Sequence, residues 1–166
     1  MGDSAPPFLY KGGILMIRLN TITEDNFNEC VKMEVADDQK NFVASNMRSL
    51  AQAWLYHDNA RPFAIYNDEA MVGFLMVDIS LSWDDSKSSC YLWRLMIAKD
   101  LQGKGYGNAA VQCAIDYVKE HANPDKMRTS VVPGNDAAEK LYRSLGFIPT
   151  GEFDEDEMVM ELNLRE

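Results

Sequence analysis

A glycine-rich segment in the second half of the sequence has the residue types of a phosphate-binding turn. It reads Gln102-Gly103-Lys104-Gly105-Tyr106-Gly107 and lies between an apolar run and a helical pattern. Because glycine has no Cβ, the backbone can approach a ligand closely there, and the free N–H groups of the following helix attract phosphate oxygens. Lys104 adds a positive charge, while Gln102 could donate its amide to a phosphate or brace the turn. The segment from Gln102 to Asn108 is therefore predicted to bind a pyrophosphate.

Three known phosphate-binding patterns compete for this segment. A Walker loop is excluded because Lys104 is followed by Gly105 rather than Ser or Thr, and the required G-x-x-x-x-G-K spacing is missing. The dinucleotide fingerprint G-x-G-x-x-A fits Gly105, Gly107 and Ala110, but the chain has no room for the two βαβαβ halves that a nicotinamide or flavin domain needs. The third pattern, Q-x-x-G-x-G, fits without that difficulty.

Hydrophobic periodicity predicts the elements that position this segment. A strand leads into the glycines, and an amphipathic helix with an apolar stripe from Ala110 to Val118 follows them. The predicted elements, besides that helix, are strand 14–19, helices 23–35 and 45–57, strands 62–66, 71–81 and 90–97, strand 126–132, helix 136–145, and strands 147–152 and 158–164. The order β-α-α-β-β-β-α-β-α-β-β predicts an α/β (α+β) domain whose mixed, mostly antiparallel central sheet has helices on both faces.

The first 13 residues differ from the rest of the sequence. They contain Pro and Gly, show no periodicity, and are followed by a second methionine at Met16. We expect residues 1–13 to be an N-terminal arm or an expression remnant, and residues 14–166 to form one domain.

Composition limits the class of protein. The chain has 166 residues, with 16 Lys and Arg against 26 Asp and Glu, and a formal charge of −10. This balance argues against a nucleic-acid partner and permits a cationic ligand. No apolar run approaches the roughly 18 residues of a membrane span and no cleavable leader is visible, so we expect a cytoplasmic protein without a membrane partner. Cys30, Cys90 and Cys113 lie in apolar patterns and are predicted to be free core thiols, with no metal site.

From Ile17 to Leu164 the chain resembles the GNAT N-acetyltransferase superfamily. The resemblance rests on the order of elements and on two segments, WRLMIAKDLQGKGYGNAAV and VVPGNDAAEKLYRSLGFIPTGE. In this family Q-x-x-G-x-G is the loop for the pyrophosphate of acetyl-CoA. Two further segments, KNFVASNMRSLAQAW and RPFAIYNDEAMVGFLM, are similar to the bacterial spermine/spermidine (diamine) acetyltransferases. The resemblance implies the GNAT fold, a homodimer, and direct acetyl transfer in a ternary complex from acetyl-CoA, without a metal, to a primary amine, preferably a polyamine such as spermidine or spermine.

The resemblance also assigns residues to the cosubstrate. Main-chain groups of the central strand would pair with the pantetheine arm and polarise the thioester carbonyl, which needs placed N–H groups but no particular side chain. Those strand residues are Leu95, Met96 and Ile97, and the pyrophosphate would be held by Gln102, Gly103, Lys104, Gly105, Tyr106, Gly107 and Asn108. Asn135 would bind the pantetheine amides, cap the following helix, or do both. Tyr142 would be the general acid that protonates the CoA thiolate, although its spacing also suits a core aromatic.

A polyamine acceptor must lose a proton before it attacks, since an alkylamine has a pKa near 10.4. Carboxylates could take that proton and hold the distal ammonium groups. The candidates form three acidic clusters, each of which could also be a solvated loop: Glu34, Asp37 and Asp38; Asp84 and Asp85; Asp154, Glu155 and Asp156. Glu34 is the first choice for the base, because it lies in the first-helix region expected to face the acceptor. The remaining predicted substrate-binding residues are Asp37, Asp84, Tyr56 and Trp93, of which the two aromatics could form a cation–π wall.

Two alternatives to this function stay open. One keeps the enzyme but changes the acceptor to a peptide or protein amine or another small amine. The other is a non-catalytic CoA-binding sensor domain. An acyl-enzyme is not expected, because no Ser-His-Asp arrangement is visible and Cys90 and Cys113 have no evident basic partner.

Overall fold

The computed structural model describes residues 8–12, 15–84 and 87–165. Over these residues the chain forms eight strands and four α-helices. In chain order they are β1 (Phe8–Gly12), β2 (Leu15–Thr21), α1 (Glu24–Lys32), α2 (Asn46–Leu55), β3 (Ala60–Asn67), β4 (Ala70–Asp84), β5 (Lys87–Ile97), α3 (Tyr106–His121), β6 (Lys126–Val131), α4 (Asp136–Ser144), β7 (Ile148–Asp154) and β8 (Glu157–Asn163). Short 3-10 helices lie at Asp37–Gln39 and Lys99–Leu101. No helix in this part of the chain is long and apolar enough to cross a bilayer.

The strands form one sheet in the order β1-β2-β3-β4-β5-β6-β8-β7. Every neighbouring pair is antiparallel except β5 and β6, which are parallel. This arrangement confirms the predicted fold class, and β1 adds one strand to the predicted order. Among the strands that the structure describes, β1 pairs only with β2, as an edge strand does, and such a short element gives little periodic signal in a sequence. The domain boundary at residue 13 stays a prediction.

Helices cover both faces of the sheet and create two apolar cores. On one face α3 packs with α4 against the strands, through residues such as Val111 and Tyr142. On the other face Cys30 of α1 and Ala53 of α2 pack against β3, β4 and β5. Helix α2 begins where the Ser45 hydroxyl accepts a hydrogen bond from Arg48 N at 3.2 Å.

The three cysteines lie in these cores as free thiols. Burial raises the pKa of Cys30 to about 11 and that of Cys90 to about 12. Both side chains therefore stay protonated at neutral pH, as expected for core thiols without a nucleophilic role.

The central strands β5 and β6 separate part of the way along their length. Their pairing runs from Ser89 opposite Lys126 to Leu92 opposite Thr129, whereas β5 continues to Ile97. A bulge next to this point places Leu92 opposite Val77 and Arg94 opposite Met76 of β4, with Trp93 as the extra residue. Because a bulge bends its strand, β5 turns away from β6 and leaves an opening beside residues 93–97.

Candidate active site

A cleft of about 950 Å³ fills the opening between β5 and β6. Its volume is in the range of small-molecule sites. The predicted cosubstrate residues that line it are Leu95, Met96, Ile97, Gln102, Gly103, Gly105, Tyr106, Gly107, Asn108, Asn135 and Tyr142. Lys104 is exposed and does not line the cleft. The fold thus brings together residues from β5, the glycine turn, α3 and α4.

The glycine turn places the N-terminus of α3 at this cleft. Gly103 and Gly105 have φ values of 75° and 84°, in the left-handed region that glycine adopts without strain. Gly105 is the N-cap of the 16-residue helix α3, whose first N–H groups have no carbonyl partner in the preceding turn. Gly107 lies close to Leu141 of α4, so a Cβ there would be 3.5 Å from that side chain. The geometry suits an anionic group held by main-chain N–H donors.

Gln102 uses its side chain to brace this turn. Its Nε2 donates to the carbonyl of Ile97 at 2.9 Å and to Oε1 of Gln39 at 2.7 Å. An amide nitrogen has two protons, and both are used in these bonds. The side chain therefore holds the turn against β5 and has no proton left to donate to a phosphate.

Gly73 keeps β4 close to the part of β5 that lines the cleft. It lies opposite Ile97 in the ladder, and a Cβ added there would be 2.3 Å from the carbonyl oxygen of Met96. We expect Gly73→Ala to push β5 aside and to lower the free energy of unfolding by about 1–3 kcal/mol, as overpacking does. Urea denaturation measures the loss, and calorimetry should show weaker CoA binding by the same variant.

Gly151→Ala provides the control for this substitution. Gly151 has a φ of 84° but open space around it, on edge strand β7. Its replacement should reduce stability through backbone strain and leave CoA affinity unchanged. Wild-type stability and CoA affinity in Gly73→Ala would show that β5 does not depend on this close approach.

Tyr142 of α4 lines the cleft. Its side chain is 6% exposed and packs against Phe147, with ring centroids 5.5 Å apart. Burial raises the pKa of its phenol to about 12, and a hydrogen bond with Thr129 acts in the opposite direction. The residue is thus both a core aromatic and a cleft residue whose hydroxyl keeps its proton at neutral pH.

Asn135 lies at the start of α4. Its Oδ1 accepts a hydrogen bond from Ala138 N at 3.2 Å and so caps the helix. The residue also lines the cleft, where its Nδ2 is the group that can still donate to a ligand amide. The two roles considered from the sequence are therefore compatible.

Another part of the cleft has a mixed wall. It is formed by Asn41, Phe42, Val43, Ala44, Arg48, Trp93, Arg94, Glu155 and Glu157. Among the predicted acceptor residues, Trp93 lines this wall, and Tyr56 packs edge-on against it at 5.7 Å without reaching the cleft lining. Trp93 therefore lies at the cleft with Tyr56 behind it, and their role as a cation–π wall stays a prediction.

Two of the predicted acceptor carboxylates, unlike Trp93, lie outside the cleft lining. Glu34 pairs with Lys99 at 3.8 Å and Asp37 pairs with Lys40 at 2.7 Å, and neither residue lines the cleft. The hydrogen bond from Lys40 lowers the pKa of the Asp37 carboxyl. The side chain of Asp84 lies outside the described residues. The roles assigned to these three residues stay predictions.

Glu157 is a cleft residue that the sequence analysis missed. It is the first residue of β8, and its Oε2 accepts a hydrogen bond from the Ser130 hydroxyl. Its charge adds to the burial that raises the pKa of Tyr142, and it opposes the burial that lowers the pKa of Arg94. Strand alternation gives the missing signal: Met158 and Met160 point into the α3 core, which turns Glu157 to the opposite face of the sheet.

Arg94 gives the same wall a half-buried cation. Its guanidinium donates to the Trp93 carbonyl at 2.8 Å and to Gln52 Oε1 at 3.1 Å, and its Cζ lies 5.2 Å from the Trp93 ring centroid. Within the described residues its Nε is buried without a hydrogen-bond partner. Burial lowers the pKa of this guanidinium, and the charge of Glu157 partly offsets the effect. Such a side chain could pair with an anionic group of a ligand.

Comparison with known proteins connects this geometry to a family. The profile of the Acetyltransferase (GNAT) family matches residues 24–147. The chain is 28% identical over 153 residues to a probable spermine N(1)-acetyltransferase of Bacillus subtilis subsp. natto (strain BEST195). It has the same identity to a spermine/spermidine N(1)-acetyltransferase of Bacillus subtilis (strain 168), and each alignment covers 89% of this chain and 100% of the relative.

A solved structure shares the fold. The spermidine N-acetyltransferase of Vibrio cholerae, in complex with CoA and spermine, superposes with a TM-score of 0.68 at 17% identity, over 89% of this chain and 95% of that one. The family match spans the α1–α2 region, the bulged strand β5, the glycine turn and α4. The chain belongs to the GNAT acetyltransferase family, whose members transfer an acetyl group from acetyl-CoA.

Proposed function

We propose that this protein transfers an acetyl group from acetyl-CoA to a primary amine of a polyamine such as spermidine or spermine. The observation that carries the proposal is one cleft whose lining includes the glycine turn at the N-terminus of α3, Tyr142, and the carboxylates Glu155 and Glu157. The bacterial relatives named as spermine and spermidine acetyltransferases support the choice of acceptor.

The glycine turn and β5 would hold acetyl-CoA. The N–H groups of residues 103–108 would bind the pyrophosphate, and the open edge of β5 at Leu95–Ile97 would pair with the pantetheine amides. A main-chain N–H on that edge would also polarise the thioester carbonyl and stabilise the oxyanion that forms during attack. The cosubstrate then lies along a strand edge that the bulge at Trp93 keeps free of β6.

The acceptor would enter from the carboxylate end. Glu157 would take the proton of the attacking ammonium, directly or through water, and Glu155 would attract a distal ammonium. Glu34 was the first choice from sequence, but Glu157 lines the cleft and is close enough to act on Tyr142 electrostatically. The geometry therefore favours Glu157 as the base. Trp93 offers a ring face to the aliphatic chain or its charges.

The reaction would be a direct transfer in a ternary complex. The amine nitrogen forms a bond with the thioester carbon, the C–S bond breaks, and the sulfur leaves with the proton of Tyr142. The products are the N-acetylated amine and CoA. Of the two protons that the nitrogen loses, one passes to Glu157 before the attack and the other restores the phenol of Tyr142, directly or through water. No acyl-enzyme is formed, so both substrates must be bound together.

A turnover panel tests this assignment. CoA release from acetyl-CoA is followed with spermidine, spermine and putrescine beside peptides with free N-termini and lysine side chains. We expect the highest kcat/KM with a polyamine. Preference for peptides would reject the polyamine assignment, and binding of acetyl-CoA without turnover on any amine would favour the non-catalytic sensor.

Arg94 supports a second candidate, an acceptor that has both an amine and a carboxylate. Its buried Nε and the neighbouring Arg48 would repel a polycation and could pair with the carboxylate of a peptide. Arg94→Gln separates the two acceptors. The variant should lose turnover with acidic peptides if they are the substrate, and should keep or gain turnover with spermidine if a polyamine is.

The cellular setting is part of the same proposal. We place the enzyme in the cytoplasm, where three free buried thiols would remain reduced. We expect a homodimer, as the family resemblance implies, and light scattering of the purified protein measures its mass in solution.

A further inference from the structure

Two glutamine side chains join the α1–α2 loop to the glycine turn. Residues 33–45, the α1–α2 loop, contain Gln39, whose Nε2 donates to Gln102 Oε1 at 3.1 Å while its Oε1 accepts from Gln102 Nε2 at 2.7 Å. The orientation of Gln102 is fixed by its further bond to the carbonyl of Ile97, which can only accept. This reciprocal amide pair spans 63 positions of sequence.

The α1–α2 loop is also fastened on either side of this pair. Lys99 N donates to the carbonyl of Glu34 at 2.9 Å. After the loop, Asn46 Nδ2 donates to the carbonyl of Cys30 at 2.8 Å and lies 3.7 Å from the sulfur of Met96. Between these anchors, residues 41–44 line the cleft. The loop therefore contacts the glycine turn with one side chain and forms part of the cleft wall, where the proposed function places the amine, with the next residues.

We propose that Gln39 is a positioning residue that couples coenzyme binding to amine binding. Gln102 is the first residue of the turn that would bind the pyrophosphate. When CoA orders this turn it also orders the Gln102 side chain. The amide pair then restrains Gln39 and the adjoining cleft wall at residues 41–44. CoA then strengthens amine binding, and by thermodynamic reciprocity the amine strengthens CoA binding by the same factor. The inference rests on the proposed function, in that both substrates occupy this cleft.

The test is a binding cycle with CoA, which cannot react, and spermidine. Calorimetry gives the Kd of spermidine without CoA and with saturating CoA, and the ratio of the two values is the coupling factor. We expect a factor of about five or more in the wild-type protein, and a factor close to one in Gln39→Ala. Gln39→Asn keeps the amide but is one methylene shorter, so it should behave like Gln39→Ala.

Lys40→Gln is the matched control. Lys40 is exposed on the same loop and pairs with Asp37, not with the glycine turn. Its loss would change the charge of the loop, and it should leave the coupling factor at the wild-type value. A purely structural role for Gln39 would lower the melting temperature and leave this factor intact, and that outcome would overturn the proposal.

Hydrogen exchange gives a second readout that does not need the amine. CoA should protect the amides of residues 40–44 in the wild-type protein and in Lys40→Gln, and should not protect them in Gln39→Ala. Unchanged protection in Gln39→Ala would contradict the coupling even if spermidine is not the acceptor. Failure of CoA to bind the wild-type protein would instead reject the proposed function, so the two failures are distinct.

Discussion

Replacing Tyr142 with phenylalanine is expected to lower kcat by about 10²-fold or more while CoA still binds with wild-type affinity. A positioned general acid contributes about 10²–10⁴-fold to a rate, and the variant has no proton to give the departing thiolate. The ring of Phe keeps the packing of Tyr142 against Phe147, so the fold should not change. Steady-state assays of CoA release with the best amine of the panel measure kcat, and calorimetry measures the Kd for CoA.

Tyr117→Phe is the matched control, because it removes the same hydroxyl from a buried tyrosine of α3 that does not line the cleft. It should leave kcat unchanged. Undiminished thiol release by Tyr142→Phe would show that sulfur leaves without this proton. Loss of CoA binding in the same variant would show that the hydroxyl acts in binding.

The protonation state of Tyr142 gives this prediction a pH dependence. Burial disfavours the phenolate and raises the pKa to about 12, above its ordinary value of 10. The acid therefore keeps its proton up to and beyond the pH at which an alkylamine loses its own, and kcat should not fall with a pKa of 10. Because the folded pKa is the higher one, Tyr142 contributes stability that is present below pH 10 and is lost as the pH rises towards 12.

The conformation of the glycine turn could be predicted because its signals are local. The turn from Gln102 to Gly107 needs left-handed backbone at fixed positions, and only glycine adopts that conformation cheaply, so the sequence records it directly. The positions of Asn135 and Tyr142 can likewise be predicted from one helix, α4, because Asn135 caps it and Tyr142 lies on its apolar stripe. Even here the sequence left open whether Gln102 donates to phosphate, since its partner Gln39 lies in a distant loop.

The acceptor half depends on contacts that no short pattern encodes. Glu34 and Glu157 are both acidic residues next to the ends of elements, and strand alternation turns Glu157 away from the core without indicating what it faces. The choice depends on the β6–β8 register, which sets Ser130 opposite Val159 and brings its hydroxyl to Glu157, and on the bulge that turns Trp93 and Arg94 towards α2. Register and bulges arise from long-range pairing, so they had to be seen in the fold.

Glu157→Gln is expected to reduce kcat/KM for the amine by about 10²-fold near neutral pH, with the loss shrinking as the pH rises. The reason is the acceptor, of which only a small fraction is uncharged at neutral pH when its pKa is near 10.4. In the wild-type protein Glu157 takes the proton from the bound amine, so the rate does not depend on the uncharged fraction in solution. The variant can react only with amine that has already lost its proton in solution. Raising the pH supplies that species, so the variant should approach the wild-type rate near pH 10.

Glu155→Gln separates proton transfer from simple attraction of a cation. Both carboxylates line the cleft, but Glu155 lies in the β7–β8 turn, while Glu157 accepts a hydrogen bond from Ser130 and acts electrostatically on Tyr142. Glu155→Gln should raise the KM for spermidine by a similar factor at every pH. If Glu157→Gln shows the same pH-independent loss, the carboxylate only attracts the substrate. The amine would then have to arrive uncharged or give its proton to water, because no other carboxylate among the described residues lines this part of the cleft.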